Sequence, residues 1–150
     1  MSLQLKYPSF DVKIKNVAST SLSNQPTQPK IFDPIRKKWF VLTPEEWVRQ
    51  HVLNYLIVIK KYPASLISVE KEVTLNDLKK RYDVVVYKKD LRPLLVIECK
   101  APYIELNKST IEQAQRYNLI LKANYVMITN GIADFVFDLQ NNSIDLPDYI

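Results

Sequence analysis

The stretch from Lys80 to Pro102, KRYDVVVYKKDLRPLLVIECKAP, limits the possible folds of this chain more than any other. Its β-branched and aromatic residues predict two strands, Tyr82–Tyr87 and Leu94–Lys100, joined by a polar turn at Lys88–Arg92. Pro102 ends the second strand, because proline has no N–H to give to a ladder. Side chains alternate along a strand, so Glu98 and Lys100 share a face while Ile97 and Cys99 occupy the other. With the turn centred between Asp90 and Leu91, Asp83 falls directly opposite Glu98. Facing like charges cost a few tenths to about 1 kcal/mol, so two carboxylates there require a cation. Lys100 is one. A divalent metal between the acids is another, and hard oxygen donors select magnesium or manganese over zinc. The same residues also admit ordinary salt bridges, with Arg81 and Lys100 pairing the two acids.

The remaining elements follow from local signals. Thr43-Pro44-Glu45-Glu46 starts a helix: Thr43 caps it, Pro44 suits the first position, and Glu46 stands where a capping box places its acid. That helix should run to about Lys60, with Val48, Val52, Tyr55, Leu56 and Ile59 facing the core and His51 beside them as a structural histidine. Leu66–Val73 reads as a strand in which Glu70 is either exposed or a further acid near the metal. Asn76-Asp77 turns the chain into the central hairpin. Ser109-Thr110-Ile111-Glu112 reads as a second capping box, opening a helix to about Lys122 on which Gln113 and Tyr117 are neighbours. Tyr125–Thr129 and Ala133–Asp138 flank Asn130-Gly131, the favoured pair for a tight two-residue hairpin turn. At the N-terminus, Phe10–Val17 alternates like an edge strand and Ser19–Pro29 has the composition of a flexible connection. Arg36-Lys37-Lys38 is a phosphate contact or a solvated turn between strands. Three segments result: an arm over 1–30, an α/β domain over 31–140, and a loosely held tail over 141–150.

Composition narrows the chemistry. A chain of 150 residues builds one core. The formal charge of +5 favours an anionic partner such as nucleic acid. One glycine excludes a Gly-rich phosphate loop, and one histidine with one cysteine excludes a zinc site of those ligands. A lone cysteine forms no intramolecular disulfide, and no apolar run has the length of a signal or membrane segment, so a cytoplasmic home with no membrane partner is expected.

Asp83, a hairpin, then Glu98-x-Lys100 after an apolar strand resembles the core of the PD-(D/E)xK nuclease superfamily. More narrowly, FDPIRKKW, LTPEEWVRQ, KRYDVVVY, LLVIECKAP, the Gln113-Ala-Gln-Arg-Tyr117 helix and the Thr129-Asn130-Gly131 turn are similar to the N-terminal nuclease domain of type I restriction enzyme R subunits, over about Ile31 to Phe137. Tyr82 departs from the superfamily's nominal proline, and the length leaves no room for the motor that follows this domain in a restriction subunit. The resemblance implies an α/β restriction-endonuclease-like core, a mixed central sheet flanked by helices, that hydrolyses DNA phosphodiester bonds with magnesium or manganese. It makes Asp83, Glu98 and the backbone carbonyl of Cys99 metal ligands, with Lys100 and Gln113 in the catalytic set. Glu46, whose capping role is a complete explanation by itself, and Tyr117 become accessory candidates. DNA and other restriction-system subunits are the implied partners. The alternative is a non-cleaving nucleic-acid-binding or adaptor module that keeps the fold.

Overall fold

The computed structural model describes residues 4–17 and 28–149. Among the described residues are eight strands and two principal helices: β1 (Ile14–Val17), β2 (Gln28–Asp33), β3 (Lys38–Val41), α1 (Pro44–Asn54), β4 (Ile67–Leu75), β5 (Leu78–Tyr87), β6 (Pro93–Cys99), α2 (Lys108–Leu121), β7 (Tyr125–Thr129) and β8 (Asp134–Asp138). Strands β4 to β8 form one sheet in sequence order, antiparallel except for β6 beside β7, which run parallel. Strands β1, β2 and β3 make a separate antiparallel sheet. The molecule is an α/β fold with a mixed central sheet, as expected.

Each sheet face has its own core. Val48, Val52 and Leu53 of α1, with Leu56 in the turn that follows it, pack on Val84, Val86, Leu95, Ile97 and Cys99. On the opposite face, Ala114, Tyr117 and Leu121 of α2 cover Tyr82, Val85, Val96 and Val126. The two faces change places along β5. Val84 and Val86 lie under α1, yet Tyr82, two residues before Val84, lies under α2. On the neighbouring strand, at the same level, Glu70 has a φ of 55° and the ladder omits the pair it would make with Asp83. A left-handed residue interrupts alternation, and Asp83 stands at the interruption.

Several expectations need correction. The first helix ends in a π-helical turn, Tyr55–Ile59, closed by Lys60 N–H donating to the Tyr55 carbonyl. The wider turn rotates Ile59 out of the core, leaving it 45% exposed. Thr43 caps α1 through the Glu46 N–H, but the Glu46 carboxylate goes to Arg36 instead of completing the box. Helix α2 is capped by Asn107, not Ser109: its Oδ1 accepts from the N–H and the hydroxyl of Thr110. The turn after β7 spans four residues, with Asn130 Oδ1 accepting the Ile132 and Ala133 N–H groups. Within the stretch expected to be a flexible connection, residues 18–27 lie outside the described residues, and Gln28 and Pro29 already belong to β2.

The segment expected to be a loose tail is built into the core. Leu146 is buried, the Tyr62 hydroxyl donates to the Pro147 carbonyl at 2.7 Å, and Tyr149 stacks on Tyr62. The N-terminal arm is anchored too. Leu5 and Tyr7 are buried, and the Tyr7 hydroxyl reaches Thr129 and Asp134, both at 2.9 Å.

Candidate active site

The β5–β6 hairpin sets the site. Its ladder pairs Val86 with Leu95, Val85 with Val96 and Val84 with Ile97, so the next step brings Asp83 level with Glu98. The strands part there. The Cys99 N–H donates at 2.8 Å to Asp83 Oδ2, a side-chain bond in place of a ladder bond. Asp83 Oδ1 lies 3.6 Å from the Arg49 guanidinium of α1. Glu98 lies toward α2, with the ammonium groups of Lys80 at 3.8 Å and Lys100 at 3.9 Å from its Oε1. This corrects the expectation that the two acids share one face. The register is as read, but Asp83 is held from the α1 side and Glu98 from the α2 side because alternation breaks between Tyr82 and Val84. They come near each other only at the end of the sheet, where both feel Lys80 and Lys100.

The electrostatics show crowded negative charge. Burial, then the Asp83 charge, push Glu98 up to about 7. Burial raises Asp83 above the usual carboxylate range, against the pull of the Cys99 N–H and Arg49. Glu45, in the first turn of α1, is raised by burial and next by Asp83. Two or more acids that resist ionising together mark a place where a cation would be welcome.

A cleft of about 130 Å³ opens beside Glu98, lined by Lys80, Glu98, Lys100, Thr110, Gln113, Ala114 and Tyr117. Gln113 is exposed on the early part of α2. The Tyr117 ring lies under the Lys80 ammonium, 4.5 Å away, and its carbonyl accepts the Tyr82 hydroxyl. Lys100, Gln113 and Tyr117 therefore meet Glu98 at one opening.

Glu46 does not join them. Its carboxylate is buried between Arg36 at 2.7 Å and Arg49 at 3.4 Å. The acid of α1 that acts on Asp83, Glu98 and Lys100 is its neighbour Glu45. The Arg36 run is neither a phosphate contact nor simply a solvated turn: Arg36 joins Asp33, Glu46 and Glu70 and stacks on the Phe40 ring at 3.4 Å. Glu70 is held by Arg36 and Arg49. His51 is structural as expected, its Nδ1 at 2.8 Å from the Trp47 carbonyl and its ring against Trp47. The Cys99 thiol is fully buried and pushed well above its ordinary value by that burial.

Three contributors escaped the sequence: Lys80, Arg49 and Glu45. Lys80 had a visible signal, because it alternates with Tyr82 on the strand that carries Asp83. Arg49 and Glu45 had none, since their approach to Asp83 depends on how α1 packs across the sheet.

The family model described as type I restriction enzyme R protein N terminus matches residues 44–147. Among solved structures, a fragment of a protein assigned as an HsdR subunit of a type I restriction enzyme from Vibrio vulnificus YJ016 superposes with a TM-score of 0.56 at 20% identity. The superposition covers 72% of this chain and 23% of that one, so the chain spans about a quarter of its structural neighbour. No curated protein matched. The family match takes in α1, the Asp83–Glu98 hairpin, α2 and the last two strands, and the chain belongs to the family of type I restriction enzyme R protein N-terminal domains.

Proposed function

We propose that this domain is a metal-dependent endonuclease acting on DNA phosphodiesters, of the PD-(D/E)xK type. The observation that carries this reading is the set of raised carboxylates at the parting of β5 and β6, beside a cleft holding Lys80, Lys100 and Gln113. The donors suit a hard divalent cation. Asp83 and Glu98 offer carboxylate oxygens, and the Cys99 carbonyl follows Glu98 directly in sequence. Among the described residues no group of three His, Cys, Asp or Glu side chains gathers closely enough to hold a metal, so the ligand set is two acids with a carbonyl and water. When bound by Asp83, Glu98 and the Cys99 carbonyl, magnesium or manganese would lower the pKa of a bound water and neutralise charge on the scissile phosphate. Lys100, 3.9 Å from Glu98 Oε1, stabilises charge developing on the phosphate, with Lys80 at 3.8 Å from the same carboxylate oxygen. The Gln113 amide positions a phosphate oxygen or water at the mouth of the cleft. Other subunits of a restriction system are the partners this family membership suggests.

A second reading, a module that binds nucleic acid without cutting, draws on Asp83, whose two oxygens already face Arg49 and the Cys99 N–H. Metal titration separates the two. Millimolar magnesium or manganese should raise the Tm of the wild-type protein. Asp83→Asn and Glu98→Gln should each lose that rise together with nicking of supercoiled DNA. Lys100→Ala should keep the rise and lose the nicking. No metal response in any of the four proteins, with similar destabilisation by all three substitutions, would make the cluster structural and withdraw the nuclease reading.

A further inference from the structure

The small sheet has two unlike faces. Ile31 and Asp33 are fully buried on one, where Arg36 clamps the β2–β3 turn to α1 and β4. Pairing places Lys15, Lys30, Phe32, Trp39 and Val41 together on the other, since Lys15 faces Lys30, Lys30 faces Val41 and Phe32 faces Trp39. Lys13 joins them, its carbonyl taking the Phe32 N–H. The rings form an edge-to-face pair at 5.4 Å, with the Lys15 ammonium 4.2 Å above Trp39 and that of Lys13 5.7 Å above Phe32.

This outward face carries no acid on its strands, and among the described residues none of its three lysines lies in an ion pair. Lysine on an edge strand guards against pairing with another chain, which accounts for Lys13 and Lys15. It does not account for Lys30 on the central strand, directly opposite Lys15. Such a like-charge pair destabilises a sheet, and exposed cation–π contacts offset it only weakly. A polyanion laid across the face would relieve the repulsion, and one that carries flat rings would also cover Phe32 and Trp39.

We propose that this face is a platform for single-stranded nucleic acid, with Lys13, Lys15 and Lys30 taking phosphates and Phe32 and Trp39 stacking on bases. Stacking on aromatic rings along a basic groove is tolerant of sequence and strongly dependent on salt. The inference takes its ligand class from the DNA reading of the hairpin site but stands on a different sheet.

The test uses the full chain carrying Glu98→Gln, so that cleavage cannot interfere, and a fluorescein-labelled oligothymidylate. Anisotropy should report binding accompanied by quenching of tryptophan emission, and that quenching should vanish in Trp39→Phe, which leaves Trp47 as the only emitter. Lys15→Gln with Lys30→Gln should weaken binding about tenfold at low salt and flatten its salt dependence by about two phosphate contacts. Far-ultraviolet circular dichroism confirms that each variant is folded. Undiminished binding in the double lysine variant, or quenching that survives in Trp39→Phe, would overturn the proposal. Equal affinity for a polyglutamate of similar length would assign the face to an acidic protein segment and also overturn it. Oligonucleotide binding here, with no metal response in the wild-type protein, removes the nuclease reading and leaves this one standing; a wild-type metal response without oligonucleotide binding does the reverse.

Discussion

Glu98 keeps its proton at a pH where an unfolded chain has already released one. Its folded value near 7 lies above the ordinary 4.5, so the native state binds more protons than the unfolded state between those limits. Stability of the metal-free protein must then fall as pH rises through that window, by at most about 3 kcal/mol from this group. Glu98→Gln should flatten the fall, and urea melts at several pH values would show it; an equally steep fall in the variant would assign it elsewhere. Arg49 is the other residue under strain. Its Nε and Nη1 are buried without a hydrogen bond, while Glu46, Glu70 and Asp83 stand 3.4 to 3.6 Å from the guanidinium. Arg49→Met leaves those carboxylates without their shared cation and should cost roughly 3 kcal/mol. Magnesium should restore part of that loss, since a metal at Asp83 replaces the missing charge. It should restore less of the loss in Arg36→Met, whose partners are Asp33, Glu46 and Glu70 and not Asp83 itself. Equal recovery in both variants would count against a metal at Asp83.

Elements were legible wherever one residue type dictates backbone geometry. Thr43-Pro44 opens α1, and Asn76 and Asp77, at φ of 50° and 66°, turn β4 into β5. Gly131 was foreseen as a turn residue for its backbone freedom alone. It has a φ of 83°, but a Cβ there would also stand 2.7 Å from Leu5 Cδ2, and its carbonyl accepts the Lys6 N–H. Gly131→Ala should therefore cost about 1–3 kcal/mol. Adding Leu5→Ala should recover only the part due to the clash, which a double-mutant cycle of urea midpoints would resolve. Complete recovery would mean that the backbone is not strained there. The π-helical turn at Tyr55–Ile59 could not be foreseen, because nothing in YLIVI distinguishes it from another turn of α-helix.

At the scale of the whole molecule, the ends of the chain close the core. Leu5, Tyr7 and Leu146 belong to the same cluster as α1 and the hairpin strands, and the Tyr149 N–H donates to the Lys60 carbonyl where the first helix ends. Leu146→Ala should destabilise the domain by about 2–5 kcal/mol, the usual range for emptying a leucine site in a packed core. A change below 0.5 kcal/mol in thermal or urea melts would return residues 144–149 to the status of an appendage. No helix among the described residues is long and apolar enough to cross a membrane.

Sequence alone was sufficient for the hairpin and its register, which brings Asp83 level with Glu98, because alternation and turn chemistry are local and strongly patterned. It was sufficient for the mixed α/β class for the same reason. Only the tertiary structure decided that alternation breaks at Asp83, where the β4–β5 ladder lacks the Glu70 pair. It also decided that Glu45 and not Glu46 acts on the acid pair, and that Arg36 is a buried clamp. Those outcomes depend on which side chains α1 and the small sheet bring against the central sheet, and charges from distant segments meet only when packing removes the water between them.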